Sequence, residues 1–204
     1  MIHGLSFSDI LILIGCILVS LTVHEFMHAF VGYKLGDITA KGGGRLSLNP
    51  LSHIDPLMTV ALPIITIFLF GQPILAAKPV PFDPRYVKYD EYGAAMIAAA
   101  GPLSNLLLAI LAAFTYKFLP VNSFLVHILG VFTVLNVAIF VFNMLPIPPL
   151  DGSRVLYAFA PESVQQFMRN IEPIGLFIIF GLVLAGVLGG ILGTLNQFVL
   201  NLLP

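Results

Sequence analysis

From Ser8 to Leu35 the chain is apolar over nearly its whole length, and no other feature restricts its fold as much. At about 1.5 Å rise per residue, a helix over that stretch crosses a hydrocarbon core about 30 Å thick. A helix also satisfies every backbone N–H and C=O within the segment, which lipid requires. Near the end of the run stand His24, Glu25 and His28. Ionisable groups are costly inside a membrane segment and by default mark function.

The rest of the chain agrees with a membrane setting. Of its 204 residues, 58% are hydrophobic and 9% charged, whereas soluble domains run near 45–50% apolar and about 25% charged. A formal net charge of -1 argues against a nucleic-acid partner. Cys16 is the only cysteine, which excludes an intramolecular disulfide and a cysteine-based metal site. No basic residue precedes the first run, so that run is expected to be a retained helix rather than a cleaved leader. No repeat or polar linker marks a second unit, and residues 1–204 are expected to form one domain.

Further apolar runs occur at 56–70, 92–119, 123–145 and 173–203. The first of these is short for a span and contains Pro63; the last is dense in glycine, and Gly186, Gly189, Gly190 and Gly193 offer places to break it. Basic residues cluster after the first run (Lys34, Lys41, Arg45), before the third (Lys78, Arg85, Lys88) and after the fourth (Arg154, Arg169). With all three clusters cytoplasmic, the first and fourth runs enter the cell, the third leaves it, and the 56–70 run re-enters. The alternative makes 56–70 a true span and puts one basic cluster outside. The predicted fold is an all-α, multi-pass protein with about four spanning helices and a short or re-entrant one.

On a helix, residues four apart share a face. His24 and His28 are therefore able to offer imidazoles to one metal ion, with Glu25 beside them, which is the H-E-x-x-H pattern of zinc metalloproteases. A third ligand is needed, because catalytic zinc takes three protein groups and keeps one position open. The stretch Asn143-Met144-Leu145-Pro146-Ile147-Pro148-Pro149-Leu150-Asp151-Gly152 breaks the fourth run with three prolines. Irregular backbone at membrane depth is tolerated where it lines a cavity. The topology brings this break and His24/His28 to the same, cytoplasmic end, so Asp151 is the expected third ligand. Its other reading is a cap or turn residue for a helix beginning at Gly152.

Together these two stretches resemble the site-2 protease family of intramembrane zinc metalloproteases. Gly101-Pro102-Leu103-Ser104-Asn105 is similar to the G-P-x-x-N motif of that family's central helix. Gly44 to Pro50, His53-Ile54-Asp55-Pro56 and Lys78-Pro79-Val80-Pro81 resemble segments of its compact subgroup without a PDZ domain. The resemblance implies one zinc ion per chain on His24, His28 and Asp151, with Glu25 as the catalytic base. It also places Asn143 and Asn105 near the site. Asn143 is a candidate donor to the oxyanion or, equally, a partner for carbonyls freed by the prolines; Asn105 is foremost an interhelical hydrogen-bonding residue. His53 and Asp55 are not assigned to the metal, and topology separates His3 and His127 from it. Implied partners are transmembrane protein substrates and the lipid bilayer of a prokaryotic cell, with the site toward the cytoplasm; oligomeric state stays open.

Peptide hydrolysis in a membrane also requires the substrate helix to unwind. Segments 42–48 and 76–82 are candidate extended edges to receive it. Rival readings are a zinc-binding transporter or channel, since intramembrane His and Asp also line ion pathways, and a noncatalytic scaffold. Glu25 beside a two-histidine face with one clear third ligand favours the protease.

Overall fold

A computed structural model gives the fold and describes residues 6–54, 81, 83–121 and 123–204. His3, Asp55, Lys78, the 56–70 run and all of 76–82 except Pro81 lie outside the described residues. Helix α1 (Phe7–Lys34) starts at Ser6, whose hydroxyl accepts from the Asp9 N–H at 3.2 Å while the Asp9 carboxylate accepts from the Ser6 N–H at 3.0 Å. This reciprocal pair satisfies donors that a helix start leaves free. Then come α2 (Thr39–Gly42), α3 (Asp90–Tyr116), α4 (Phe124–Asn143), α5 (Asp151–Phe159), α6 (Glu162–Ile171), α7 (Gly175–Leu184) and α8 (Val187–Leu202). Among the described residues, α1, α3, α4 and the stretch Glu162–Leu184 are long and apolar enough to cross a membrane.

Helix α3 sits at the centre and packs against α1, α4 and α5. Within it 56% of the apolar window is buried by protein, against 28% in α1 and 22% in α4. Small residues make this possible: Gly93, Ala95, Ala98, Ala100, Gly101, Ala109 and Ala112 are all buried, so neighbouring backbones approach closely. Its partners fix relative direction. His28 meets Ile97 while Ser20 meets Asn105, so α1 and α3 are antiparallel. Asp9 meets His127 while Ser20 meets Asn136, so α1 and α4 are parallel. These are the relative directions expected from the basic residues.

The loops at the α1 and α3 junction interlock. Lys88 N–H donates to the Leu35 carbonyl at 2.9 Å, and buried Asp37 accepts from the Asp83 and Thr39 N–H groups at 3.0 and 2.8 Å. Gly93 is obligatory there, since a Cβ would lie 2.0 Å from the Lys88 carbonyl oxygen. The final apolar segment is two helices, broken at Gly186 with φ 72°. Leu188 packs with Leu145 and Ile179 beside the proline-rich stretch, and α8 then runs back along α4, with Val199 reaching the Ala109, Val137 and Val141 cluster.

The expectation of extended segments near the site is corrected among the described residues, which contain no strand. The first half of segment 42–48, Gly42 to Arg45, spends its N–H groups locally. Arg45 N–H donates to the Ala40 carbonyl at 2.8 Å, Gly44 turns the chain at φ 69°, and the Ser47 hydroxyl accepts from the Asn49 N–H at 3.0 Å. An edge needs those groups free along one side of the chain.

Candidate active site

One turn of α1 places His24, Glu25 and His28 against α3, and all three are buried. Asp151 comes from the first residue of α5, directly after the proline-rich turn. Its carboxylate makes no cap on its own helix. Instead its Oδ2 lies 3.2 Å from His24 Nε2 and 3.4 Å from His28 Nε2, and the two Nε2 atoms are 3.0 Å apart. Among the described residues this is the group of three side chains able to hold a metal.

The outer hydrogen bonds fix the histidine tautomers. His28 Nδ1 is 2.7 Å from the Ile97 carbonyl, which only accepts, so Nδ1 carries the hydrogen. His24 Nδ1 is 2.6 Å from Asn105 Oδ1, which likewise only accepts. Both Nε2 atoms of the neutral rings then present lone pairs to the same point as Asp151 Oδ2. Three lone pairs facing one another need a cation between them.

Zinc fits this donor set. Ligands about 2.0–2.1 Å from a tetrahedral zinc stand roughly 3.3 Å from one another, close to the spacings found here. The wall opposite is Gly101, where a Cβ would lie 2.3 Å from His28 Nε2 and 2.7 Å from His24 Nε2. Any side chain on that residue would fill the metal's place. Burial alone would push the Asp151 carboxyl up, yet where the histidines take up a proton in place of a metal, their positive charge, His28 foremost, holds it below the usual carboxylate range. A metal cation at the same place acts with the same sign.

Glu25 lies within electrostatic reach of His24, His28, Asp151 and His53. His53 is buried, with Nε2 2.8 Å from the Ser47 carbonyl. Asn143, at the end of α4, donates from its amide nitrogen to the Ile139 carbonyl at 3.0 Å, inside its own helix. Asn105 is fully buried and joins three helices, as its interhelical reading requires. His127 pairs with Asp9 at 3.0 Å, at the opposite end of α1 from the histidine motif. A cavity of about 410 Å³ between α3, α5 and α6 is lined by Pro148 of the broken stretch together with Asp90, Glu91, Ser153, Tyr157 and Met168.

Sequence reasoning passed over Ser20, Asn136 and the Ile97 carbonyl. Ser20 stands four residues before His24, on the same helical face, and Asn136 is a lone amide in an apolar helix. Those positions were the available signals.

Comparison with known proteins adds an independent line. The model of Peptidase family M50 matches residues 119–186. YwhC of Bacillus subtilis, assigned by name to the zinc metalloproteases, is 37% identical over 82% of this chain and 77% of its own length. Rip2 of Mycolicibacterium smegmatis, named likewise, is 32% identical over 87% of this chain and 69% of its own length. MJ0611 of Methanocaldococcus jannaschii is 34% identical over 65% of this chain. No solved structure matches the chain significantly.

Proposed function

The chain belongs to peptidase family M50 of zinc metalloproteases, and from that premise we propose that it hydrolyses a peptide bond in or near a transmembrane segment of a membrane-protein substrate. The observation that carries this reading is the convergence of His24 Nε2, His28 Nε2 and Asp151 Oδ2 beside Glu25, on a helix long enough to span a bilayer.

His24, His28 and Asp151 hold the zinc. When bound, zinc polarises a carbonyl and makes water a stronger acid. Glu25 accepts the proton that the attacking water gives up and returns it to the leaving amine. Asn143 reaches the developing oxyanion once its amide turns away from Ile139. The substrate helix hides its carbonyls in its own hydrogen bonds, so a few residues unwind before attack. The cavity beside Pro148 offers water a way toward that end of the bundle, and the basic clusters around Lys41 and Arg169 favour a cytoplasmic position for it.

The test is reconstitution in proteoliposomes with a membrane-embedded substrate. Wild type is expected to cleave it and Glu25→Gln to leave it whole. Full cleavage by Glu25→Gln would rule out this mechanism, and zinc flux across the vesicle without cleavage would favour a transporter.

A further inference from the structure

Behind His24 runs a chain of hydrogen bonds whose sense is set at its far end. Ser20 on α1, Asn105 on α3 and Asn136 on α4 are each 0% exposed, so water is not available to exchange for any of their bonds. Asn136 Nδ2 lies 2.8 Å from the Phe132 carbonyl and 2.9 Å from Ser20 Oγ. The Phe132 carbonyl only accepts, so this atom of Asn136 is the amide nitrogen and its Oδ1 points the other way. That Oδ1 takes a hydrogen bond of 2.8 Å from Asn105 Nδ2, which also donates to the Ser20 carbonyl at 3.2 Å. Asn105 Oδ1 is thereby left to face His24 Nδ1 at 2.6 Å.

The direction matters because an asparagine amide can present either end. If Asn105 were reversed, its nitrogen would donate to His24 Nδ1, and the ring's hydrogen would move to Nε2. That hydrogen would occupy the point where Asp151 Oδ2 and His28 Nε2 converge. Reversal would also set the Asn105 oxygen against two acceptors, Asn136 Oδ1 and the Ser20 carbonyl, in a buried site where unpaired polar groups are costly. Asn136 makes the shorter of the two restraining bonds. The Ser20 carbonyl, one turn before His24, already serves the α1 ladder.

We propose that Asn136 is a positioning residue for the metal ligand His24, acting through Asn105 and touching neither metal nor substrate. The inference rests on the reading of His24 as a zinc ligand. It assigns to α4 a part in the site distinct from carrying Asn143 and the proline-rich turn.

The experiment measures zinc affinity by chelator competition, and the melting temperature of the metal-free protein, for wild type, Asn136→Leu, Asn105→Ala, the double variant and His24→Ala. Loss of a group that orients a metal ligand typically costs 10–100-fold in affinity. Asn136→Leu is expected to bind zinc about tenfold more weakly, and the double variant no more weakly than Asn105→Ala alone. If Asn136→Leu does not fold, Ser20→Ala, which removes one acceptor of Asn136, is expected to weaken zinc by the same route and by less than Asn136→Leu would, and unchanged affinity there overturns the proposal. A merely structural Asn136 would lower the melting temperature and leave zinc affinity unchanged. Wild-type affinity in Asn136→Leu, or losses that multiply in the double variant, overturns the proposal. His24→Ala separates the two levels: undiminished affinity there overturns the zinc-site reading itself, whereas lost affinity there with wild-type affinity in Asn136→Leu overturns the positioning role alone.

Discussion

Gly101 shows how much a single hydrogen atom in place of a methyl group decides. A Cβ at that position would lie 2.3 Å from His28 Nε2, and the ring is pinned behind by the Ile97 carbonyl, so it has nowhere to retreat. Alanine is a better helix former than glycine by about 1 kcal/mol, so the helix itself gains from the change. The clash costs about 1–3 kcal/mol as overpacking does, more than that gain, so Gly101→Ala is expected to abolish zinc binding and cleavage and to lower the melting temperature of the metal-free protein. Zinc content by elemental analysis alongside a thermal melt checks this, and retained zinc would refute it. Spacing made His24, Glu25 and His28 legible in the sequence, because helical periodicity alone puts i and i+4 on one face. Asp151 was legible through the proline break. Asn136 and Ser20 were not, because their use depends on how α1, α3 and α4 meet, and no local pattern encodes that contact.

At the level of the element, the proline-rich turn is what carries Asp151 to the histidines. It is clamped on both sides by glycines: a Cβ on Gly152 would lie 2.3 Å from the Met144 carbonyl oxygen, and one on Gly175 would lie 2.1 Å from that of Pro148. Gly152→Ala should force the turn open, cost about 1–3 kcal/mol as overpacking does, and displace Asp151. Urea or thermal unfolding should report that loss together with weakened zinc; an unchanged melt and unchanged zinc would show the clamp to be loose. The spans α1, α3 and α4 were readable within a few residues, because a long apolar run in lipid has little alternative to a helix; the last span, Glu162–Leu184, starts well before the 173–203 run. The expected edge at 42–48 was misread for a different reason. Gly42 to Arg45 give their backbone N–H groups to the carbonyls of Ile38 to Lys41 in the turn just before them, so a neighbouring strand finds none free there.

For the whole molecule, three helices of fixed relative direction leave one free choice, which end faces the cytoplasm. Asp9 with His127 marks one end, and the His24, His28 and Asp151 group lies toward the other. The basic residues favour the cytoplasm for the second end, and that is the orientation we propose. With Cys16 replaced by serine, single cysteines at Lys41 and Arg169 are expected to react with a membrane-impermeant reagent only in inverted vesicles, and one at Val121 only in intact cells. Labelling of the Lys41→Cys protein in intact cells would reverse the topology.

The central claim is that His24, His28 and Asp151 hold zinc while Glu25 moves protons, two jobs that one preparation can separate. Zinc content and cleavage of a membrane-embedded substrate, measured together, should show one zinc per chain and no turnover in Glu25→Gln. Asp151→Ala should lose most of both. Turnover in Glu25→Gln, or full zinc in Asp151→Ala, would contradict it.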